Sequence, residues 1–297
     1  MGSGISNLLV DNTNIIHKNN ETNTYCIKLL TYNVEWGFLE LPDNITSDSC
    51  GHNIPQTDEA QEEHLKLISR DIGIVNPDIC FLQEIGSLDD IKYISNYIKD
   101  LFNVYYYSYY SNKEDGNQGI GLLIKKEYNS LCQVEHIPNF PLERALGIIL
   151  NFNDKIFKLV GVHLKSLYDH KYEKDVAKQL EQLKAVNEWI GDTKYSVVCG
   201  DMNNIPGSEP ILKMGEYGYT DILDTKCYVP SIVNSKYTEF HGNNGDEQGS
   251  RIDYIFTKNI KPISSYIINL VRENTKLPSN LRKETSDHLP VLAVLEL

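Results

Sequence analysis

Short apolar segments recur along this chain, and most of them end in a polar or acidic residue. They have the length of β-strands, and several are apolar without interruption, which is typical of strands buried on both faces. Helix-like segments, with apolar residues at steps of three and four, lie between them. This pattern predicts an α/β structure in which sheets pack on each other and helices cover the outside.

The periodicity also predicts where the elements lie. Helices are predicted over residues 59–75, 88–101 and 171–190. Residues 1–24 are polar, rich in Asn and Thr, and predicted to form a flexible tail. No linker or internal repeat divides residues 25–297, which are long enough to bury one core and are predicted to form a single domain. The predicted strands are 26–34, 78–84, 104–110, 119–124, 132–137, 145–152, 156–163, 195–201, 250–257, 263–270 and 289–297.

The charge of the chain restricts its binding partners. The formal net charge is −13 at pH 7. Such a charge argues against broad, unspecific binding of a polyanion to a basic face. It does not exclude a nuclease, because a bound cation or a few Lys and Arg side chains can hold a phosphate group inside an acidic protein.

The cysteines and the absence of apolar spans predict an intracellular, cytoplasmic protein. No CxxC pair occurs, and Cys26, Cys80 and Cys199 lie in apolar strand-like segments, so reduced, structural thiols are expected. No segment approaches the roughly 20 apolar residues of a membrane span. The N-terminus also lacks the apolar core of a secretory signal.

The first residues match the pattern for N-myristoylation, with Gly2 exposed after removal of Met1 and Ser6 at the required position. The alternative is a flexible start in which Gly and Ser have no such role. One acyl chain gives only marginal, reversible membrane binding, and Lys18 is the only basic signal beside it. Acylation would therefore give the chain a weak membrane contact.

Residues with the chemistry of a metal-assisted hydrolase occupy the predicted strand ends. Strand ends at one edge of a sheet converge, so these side chains can share one site. Taken singly, each is more often a cap, a turn residue or a satisfied polar side chain, and the joint pattern is what indicates a site. The residues are Asn33, Glu84, His163, Asp201, Asn203, Asp253, Asp287 and His288.

Hydrolysis of a phosphate ester by metal-activated water needs this mixture of side chains. Mg²⁺ prefers carboxylate oxygens, usually one or two from protein, together with water and substrate phosphate. Glu84 is the first candidate ligand, followed by Asp287 and Asn33, and Mn²⁺ is expected to substitute. The attacking water must lose a proton, which either Asp201 or His288 can accept.

Two further residues can support such a reaction. The Asn203 amide can donate a hydrogen bond to phosphate or orient the nucleophile without adding negative charge. The Asp253 carboxylate can fix the tautomer of His288 and stabilise its protonated form.

Short motifs around these residues occur in a characteristic order. They are Leu30-Thr-Tyr-Asn33, Phe81-Leu-Gln-Glu84, Val162-His-Leu-Lys-Ser166, Gly200-Asp-Met-Asn203, Arg251-Ile-Asp253 and Ser286-Asp-His288. The set resembles the endonuclease/exonuclease/phosphatase superfamily, which has the DNase I-like fold. The resemblance covers about residues 25–297. It implies a four-layer αββα sandwich, with two mainly antiparallel sheets flanked by helices and the site at one edge of both sheets.

The resemblance also implies roles for the residues in the motifs. Glu84 resembles the main metal ligand, with Asn33 beside it in the metal and phosphate shell and Asp287 completing that shell. Asp201, with Asn203 beside it, resembles the residue that positions or deprotonates water. The remaining roles concern histidines: His288, paired with Asp253, resembles the phosphate-contacting or basic histidine, and His163 a second one that contacts phosphate or assists the leaving group.

Three basic residues lie in or near strands that should reach the site. They are Arg144, Lys165 and Arg251, and each is a candidate for binding substrate phosphate. The alternative for each is a solvated side chain or a surface ion pair of little energetic weight.

A run of tyrosines, Tyr105-Tyr106-Tyr107 and Tyr109-Tyr110, has two interpretations. The rings could stack on nucleic-acid bases. The plainer interpretation is a strand with aromatic packing, which the β-propensity of tyrosine favours.

A nuclease acting on DNA or RNA is the first functional hypothesis, because the His-Leu-Lys-Ser motif and the compact single domain resemble the nuclease branches of the superfamily. The second is a phosphoinositide phosphatase or a sphingomyelinase-like phospholipase C, since fold does not fix substrate. The third is a binding module without activity, which would require a lost catalytic residue. The sequence predicts no particular protein partner.

Overall fold

The computed structural model describes residues 17–19, 24–34, 58–111, 119–141, 144–167, 171–223, 239–240, 249–268, 286 and 288–297. Gly2 and Asp287 lie outside the described residues, so their predicted roles stay predictions. Among the described cysteines, Cys26, Cys80, Cys132 and Cys199 are free thiols. None of the described helices is long and apolar enough to cross a membrane.

The elements follow the predicted alternation of strands and helices. The helices are α1 (Asp58–Val75), α2 (Leu88–Phe102), α3 (Lys126–Asn129), α4 (Tyr172–Ile190) and α5 (Glu209–Glu216). The strands are β1 (His17–Asn19), β2 (Thr24–Asn33), β3 (Ile79–Ile85), β4 (Tyr106–Ser111), β5 (Gly119–Lys125), β6 (Cys132–His136), β7 (Ala145–Phe152), β8 (Lys155–His163), β9 (Tyr195–Asp201), β10 (Thr220–Asp221), β11 (Glu239–Phe240), β12 (Gly249–Ser250), β13 (Asp253–Lys258), β14 (Pro262–Ile267) and β15 (Val291–Glu296).

Two mixed sheets form the centre of the molecule. The first has the strand order β14-β15-β2-β3-β5-β4, with β1 paired to β2, and the second has the order β10-β13-β9-β8-β7-β6. The pairs β2·β3 and β8·β9 are parallel. The other described pairs within these two sheets are antiparallel, as predicted.

Apolar side chains on both faces of each sheet explain the layering. The largest core cluster lies between the sheets and includes Phe81 and Leu122 from the first sheet and Leu159 from the second. A second cluster packs α1 and α2 on the first sheet, and a third packs α4 and α5 on the other sheet. The result is the four-layer αββα sandwich that the resemblance implied.

One glycine sets how closely the two sheets approach. A Cβ atom on Gly161 in β8 would lie 2.1 Å from the Phe81 ring of β3. Phe81 is fully buried, so the ring has no space to give way. The absence of a side chain at Gly161 therefore lets the site-bearing ends of β3 and β8 lie close together.

The predicted tail contains a short strand. His17–Asn19 pairs antiparallel with the start of β2, in the register Lys18↔Tyr25. The sequence predicts these three residues as part of the tail, and their backbone pairing with the start of β2 places them in a strand despite their polar side chains. The remaining residues predicted as tail lie outside the described part, except Thr24 in β2.

Candidate active site

The catalytic candidates meet where the two sheets open at one edge. The Asn33 amide, at the end of β2, donates from Nδ2 to Glu84 Oε1 at 3.2 Å and lies 3.1 Å from Asp201 Oδ2. Asn33 and Glu84 belong to the first sheet and Asp201 to the second. The asparagine therefore bridges the sheets, as convergence of the strand ends predicted.

Glu84 is held in an unusual backbone conformation. Its φ is +60°, which is left-handed, and the β3·β5 register shifts between Gln83 and Ile85. The shift is a β-bulge, which re-aims a side chain out of the regular alternation. The left-handed conformation is uncommon for a residue with a Cβ and is found at functional sites. The bulge gives Glu84 its place beside Asn33, with 13% of its side chain exposed.

Strand register aligns two further residues with Asp201. His163 in β8 lies opposite Asp201 in β9, and Asp253 in β13 lies opposite the same Asp201. His163 Nε2 lies 3.5 Å from Asp201 Oδ2 and 3.7 Å from Glu84 Oε1. The side chains of His163, Asp201 and Asp253 are each nearly fully buried.

The turn after β9 fixes the orientation of Asp201. The Asn203 N–H donates to Asp201 Oδ1 at 2.7 Å, and Asn203 itself has a φ of +50°. The Asn203 amide donates to the Leu164 carbonyl at 3.0 Å, which ties this turn to the residue after His163. Gly200 has a φ of +136°, and a Cβ there would lie 1.9 Å from the Val162 carbonyl oxygen. The backbone of the Gly-Asp-Met-Asn motif thus fixes the position of the Asp201 carboxylate.

His288 is positioned by Asp253. Its Nδ1 lies 2.8 Å from Asp253 Oδ2, and both groups are buried. The Ser286 hydroxyl donates to the Asn33 carbonyl at 2.8 Å and accepts from the His288 N–H at 3.1 Å. Ser286 therefore fastens the histidine segment to the end of β2, a function of the Ser-Asp-His motif that its sequence alone did not reveal.

The closely spaced acidic side chains change the pKa of Asp201. Burial raises the pKa of Asp201 well above its ordinary value, and the neighbouring Asp253 carboxylate raises it further. His288 and the Asn203 N–H act in the opposite direction, and Glu84 adds to the upward shift. A buried carboxylate surrounded by others binds a proton, or a cation, to relieve the repulsion.

The donor set fits a hard divalent cation. Ligand atoms of Glu84, His163 and Asp201 all lie within 4.8 Å of one another, and so do those of Asp201, Asp253 and His288. The two groups share Asp201. Each group offers two carboxylates and one imidazole without sulfur, and such an oxygen-rich donor set suits Mg²⁺ or Mn²⁺.

The three predicted phosphate-binding residues have different surroundings. The Arg144 carbonyl accepts from the His163 N–H at 2.9 Å, so Arg144 lies beside the cluster, and its buried Nε has no hydrogen-bond partner among the described residues. Arg251 Nη1 instead forms an ion pair with Asp221 Oδ2 at 2.6 Å, and its guanidinium lies over the Tyr254 ring. This internal ion pair anchors the chain just before Asp253.

Lys165 is held through its backbone by α4. Its N–H donates to Gln182 Oε1 at 2.9 Å, and its carbonyl accepts from Gln179 Nε2 at 2.5 Å. Gln182 also donates to the Pro141 carbonyl at 3.0 Å. Both glutamines are fully buried, and sequence analysis missed them. They lie three residues apart on the buried side of α4, among the apolar residues of its stripe.

The sequence matches a known protein family. The model of the Endonuclease/Exonuclease/phosphatase family matches residues 30–288. The chain belongs to this family. The enzymes of the endonuclease/exonuclease/phosphatase family hydrolyse phosphoester bonds, and they are typically dependent on a divalent metal ion. A search of curated proteins finds no match to the sequence of this family member.

Solved structures agree with the family fold. An endonuclease/exonuclease/phosphatase from Bacteroides vulgatus is 18% identical, with a TM-score of 0.64 over 92% of this chain and 99% of its own. Truncated TDP2 from Caenorhabditis elegans is 19% identical, with a TM-score of 0.57 over 92% and 98% of the two chains. An endonuclease/exonuclease/phosphatase family protein from Bacteroides thetaiotaomicron is 15% identical, with a TM-score of 0.66 over 92% and 98%. At these identities the likeness shows the fold alone.

Proposed function

We propose that this family member is a Mg²⁺-dependent phosphodiesterase that hydrolyses nucleic acid. The observation that supports it best is the meeting of Glu84, Asp201 and His163 across two sheets, with their ligand atoms within 4.8 Å of one another. Asn33 joins the two carboxylates through its amide. Such a cluster of buried acids is costly for folding unless a cation or a proton compensates the charge.

Glu84 and Asn33 are the residues that would hold the cation, with Asp201 beside them. When bound, Mg²⁺ polarises a phosphoryl oxygen and neutralises the charge that develops on it in the transition state. Glu84 is the most exposed carboxylate of the described cluster, which suits a ligand that also has to admit substrate.

Asp201 is the proposed proton acceptor. A general base works best when its pKa lies near the working pH, and the pKa of Asp201 is raised by burial and by Asp253. The Asn203 N–H fixes Oδ1, so the carboxylate cannot rotate away from the site. In this proposal Asp201 accepts a proton from the attacking water, and the Asn203 amide helps to orient that water.

His288 and His163 are the proposed contacts to phosphate. The Asp253 carboxylate accepts from Nδ1 of His288 and stabilises its protonated form, which leaves Nε2 as a donor to a phosphate oxygen. His163 is positioned by its strand opposite Asp201 and would assist departure of the leaving oxygen. Arg144, whose carbonyl accepts from the His163 N–H and whose buried Nε has no hydrogen-bond partner among the described residues, is proposed as a further contact to phosphate.

Nucleic acid is the favoured substrate on two grounds. The His-Leu-Lys-Ser sequence resembles the nuclease branches, and the net charge of −13 opposes docking on an extended anionic leaflet, whereas a bound cation or a few basic side chains can still hold the phosphates of a nucleic-acid strand. N-terminal acylation at Gly2 would add a membrane contact and would favour a lipid substrate. A direct test must therefore include both classes.

We expect Mg²⁺-dependent cleavage of single-stranded DNA, duplex DNA or RNA, in a panel that also contains inositol phosphates and sphingomyelin. EDTA should stop the reaction, and Mg²⁺ or Mn²⁺ should restore it, because the carboxylate cluster lacks the positive charge that phosphoryl transfer requires. Product analysis by mass spectrometry identifies the bond cut. Cleavage of lipid or inositol phosphates alone would contradict the nucleic-acid proposal, and no turnover of any substrate would favour a binding module.

A further inference from the structure

The tyrosine run divides between the two interpretations that its sequence allowed. Tyr106 donates its hydroxyl to the Pro77 carbonyl at 2.6 Å, and Tyr110 donates to the Gly86 carbonyl at 2.9 Å. These two rings pack toward α1 and α2. Tyr105 and Tyr107, in contrast, are 45% and 48% exposed. Side chains alternate between the two faces from Tyr105 into β4, and this alternation leaves two aromatic rings at the surface of the sheet edge.

Two lysines converge on one of these exposed rings. Lys99 Nζ lies 5.6 Å and Lys126 Nζ 5.5 Å from the Tyr105 ring centroid. Within the described part of the chain neither ammonium group forms an ion pair, although Lys92 on the same helix pairs with Asp89. In a chain of net charge −13, two ammonium groups held beside one tyrosine without a carboxylate partner form an anion-attracting site.

These side chains line a cavity of about 310 Å³, which we name the Tyr105 pocket. Its walls come from α2, α3 and β4, and Ser95 and Asn96 add a hydroxyl and an amide. The backbone around it is well fixed: the Lys126 N–H donates to the Tyr105 carbonyl at 2.8 Å, and α2 ends in a left-handed Asn103 whose N–H bonds the Lys99 carbonyl. The pocket is thus part of the fold and not a chance arrangement of long side chains.

The Tyr105 pocket lies away from the catalytic cluster. Tyr106 pairs with Lys125 at one end of β5, whereas Gln83, the neighbour of Glu84, pairs with Ile120 near the other end. Five residues of strand separate the two levels, which corresponds to about 17 Å. A ligand in this pocket therefore does not reach the scissile bond, but a polymer bound at the active site can reach the pocket.

We propose that the Tyr105 pocket binds single-stranded nucleic acid outside the cleavage site, with a base stacked on an exposed tyrosine ring and flanking phosphates on Lys99 and Lys126. This inference rests on the proposed function. Sequence-tolerant binding of single strands combines aromatic stacking faces with cations that follow the backbone, and the pocket contains both. A recess walled on three sides suits one nucleotide unit better than it suits the flat surface of a bilayer.

Binding measured with single-stranded oligonucleotides of two lengths tests the proposal. The full chain carrying Glu84→Gln serves as the non-cleaving background, and the probes are fluorescent oligothymidines of about four and about 16 nucleotides. Lys99→Ala with Lys126→Ala should raise the Kd of the longer probe about tenfold and leave that of the shorter probe unchanged. The slope of log Kd against log salt should fall by about 1.4, because two phosphate contacts are lost.

Two further variants separate this result from a general loss of charge or of fold. Tyr105→Leu with Tyr107→Leu removes the stacking faces without changing charge and should also raise the Kd of the longer probe about tenfold. Lys178→Ala with Lys184→Ala, on the exposed face of α4, is the matched control and should change neither Kd. In the chain that keeps Glu84, the pocket substitutions should leave kcat on bis(4-nitrophenyl) phosphate unchanged.

An unchanged Kd of the longer probe in both pocket variants would overturn the proposal, as would an equal loss for both probe lengths. Binding of phosphatidylserine vesicles that depends on Lys99 and Lys126, without an effect on oligonucleotides, would assign the pocket to lipid headgroups and also overturn it. If the chain cuts short oligonucleotides but binds both lengths equally, the proposed function stands and only the pocket fails. If it neither binds nor cuts nucleic acid, both fail.

Discussion

Replacing Glu84 by glutamine is expected to lower kcat by about 10³-fold or more, with little change in stability. Glutamine keeps an oxygen that can accept from Asn33, so the neutral side chain retains this contact within the first sheet. It removes the negative charge nearest the opening of the described cluster. Steady-state kinetics on bis(4-nitrophenyl) phosphate and on an oligonucleotide, with a thermal unfolding scan of the same samples, measure both effects.

Glu188→Gln is the matched control for this experiment. Glu188 lies on the exposed surface of α4 in an ion pair with Lys184, and both side chains are more than 60% exposed. Its replacement should leave kcat unchanged, since exposed ion pairs contribute little. A kcat of the Glu84 variant within about tenfold of wild type would contradict the role given to this carboxylate.

Asp201→Asn is expected to abolish turnover and also to change how stability depends on pH. The pKa of Asp201 is raised in the folded chain, so above the ordinary pKa of aspartate the unfolded state loses this proton while the folded state keeps it. The free energy of unfolding of the metal-free protein should therefore fall as pH rises toward the raised pKa. One such proton corresponds to about 1.4 kcal/mol per pH unit.

Urea unfolding in EDTA at a series of pH values isolates this contribution as the difference between wild type and variant. The free energy of unfolding of the Asp201→Asn protein should depend less steeply on pH, because asparagine does not titrate. The difference in slope from wild type should be at most that of one proton, about 1.4 kcal/mol per pH unit. Asp192→Asn, at an exposed turn, should leave the wild-type curve in place. Parallel curves for wild type and the Asp201 variant would show that this carboxylate is ionised in the folded protein without strain.

The sequence predicted the layers and the meeting of the strand-end residues, because both depend on local patterns. Asn33 and Asp201 end strands, and parallel pairing in each sheet brings such ends to one edge. Uninterrupted apolar segments such as Ile79–Leu82 indicate burial on both faces, which requires a layer on each side. These features need no knowledge of distant contacts.

Other features of the site depend on contacts that no local pattern contains. Arg251 is paired with Asp221, 30 positions earlier, so its predicted availability for phosphate could not be judged from its motif. The left-handed φ of Glu84 arises from a shift in register against β5. Gln179 and Gln182 interrupt a helical stripe like any polar residues, and only the fold shows that they hold Lys165.

The tyrosine run is a further case in which the sequence could not show which side chains are buried. Its composition fits both packing and base stacking, and alternation alone cannot say which face is covered. The fold turns Tyr106 inward and leaves Tyr105 exposed next to Lys99, which comes from a different element. The strand interpretation is confirmed, and the exposed rings remain available for binding.

We propose that one divalent cation is held between the two sheets by the acidic cluster. Anomalous scattering from crystals grown with Mn²⁺ tests it most directly. We expect an anomalous peak in contact with the Glu84 carboxylate, on the side facing Asn33 and Asp201. A well-ordered cluster without a peak, or a peak only elsewhere on the molecule, would contradict it.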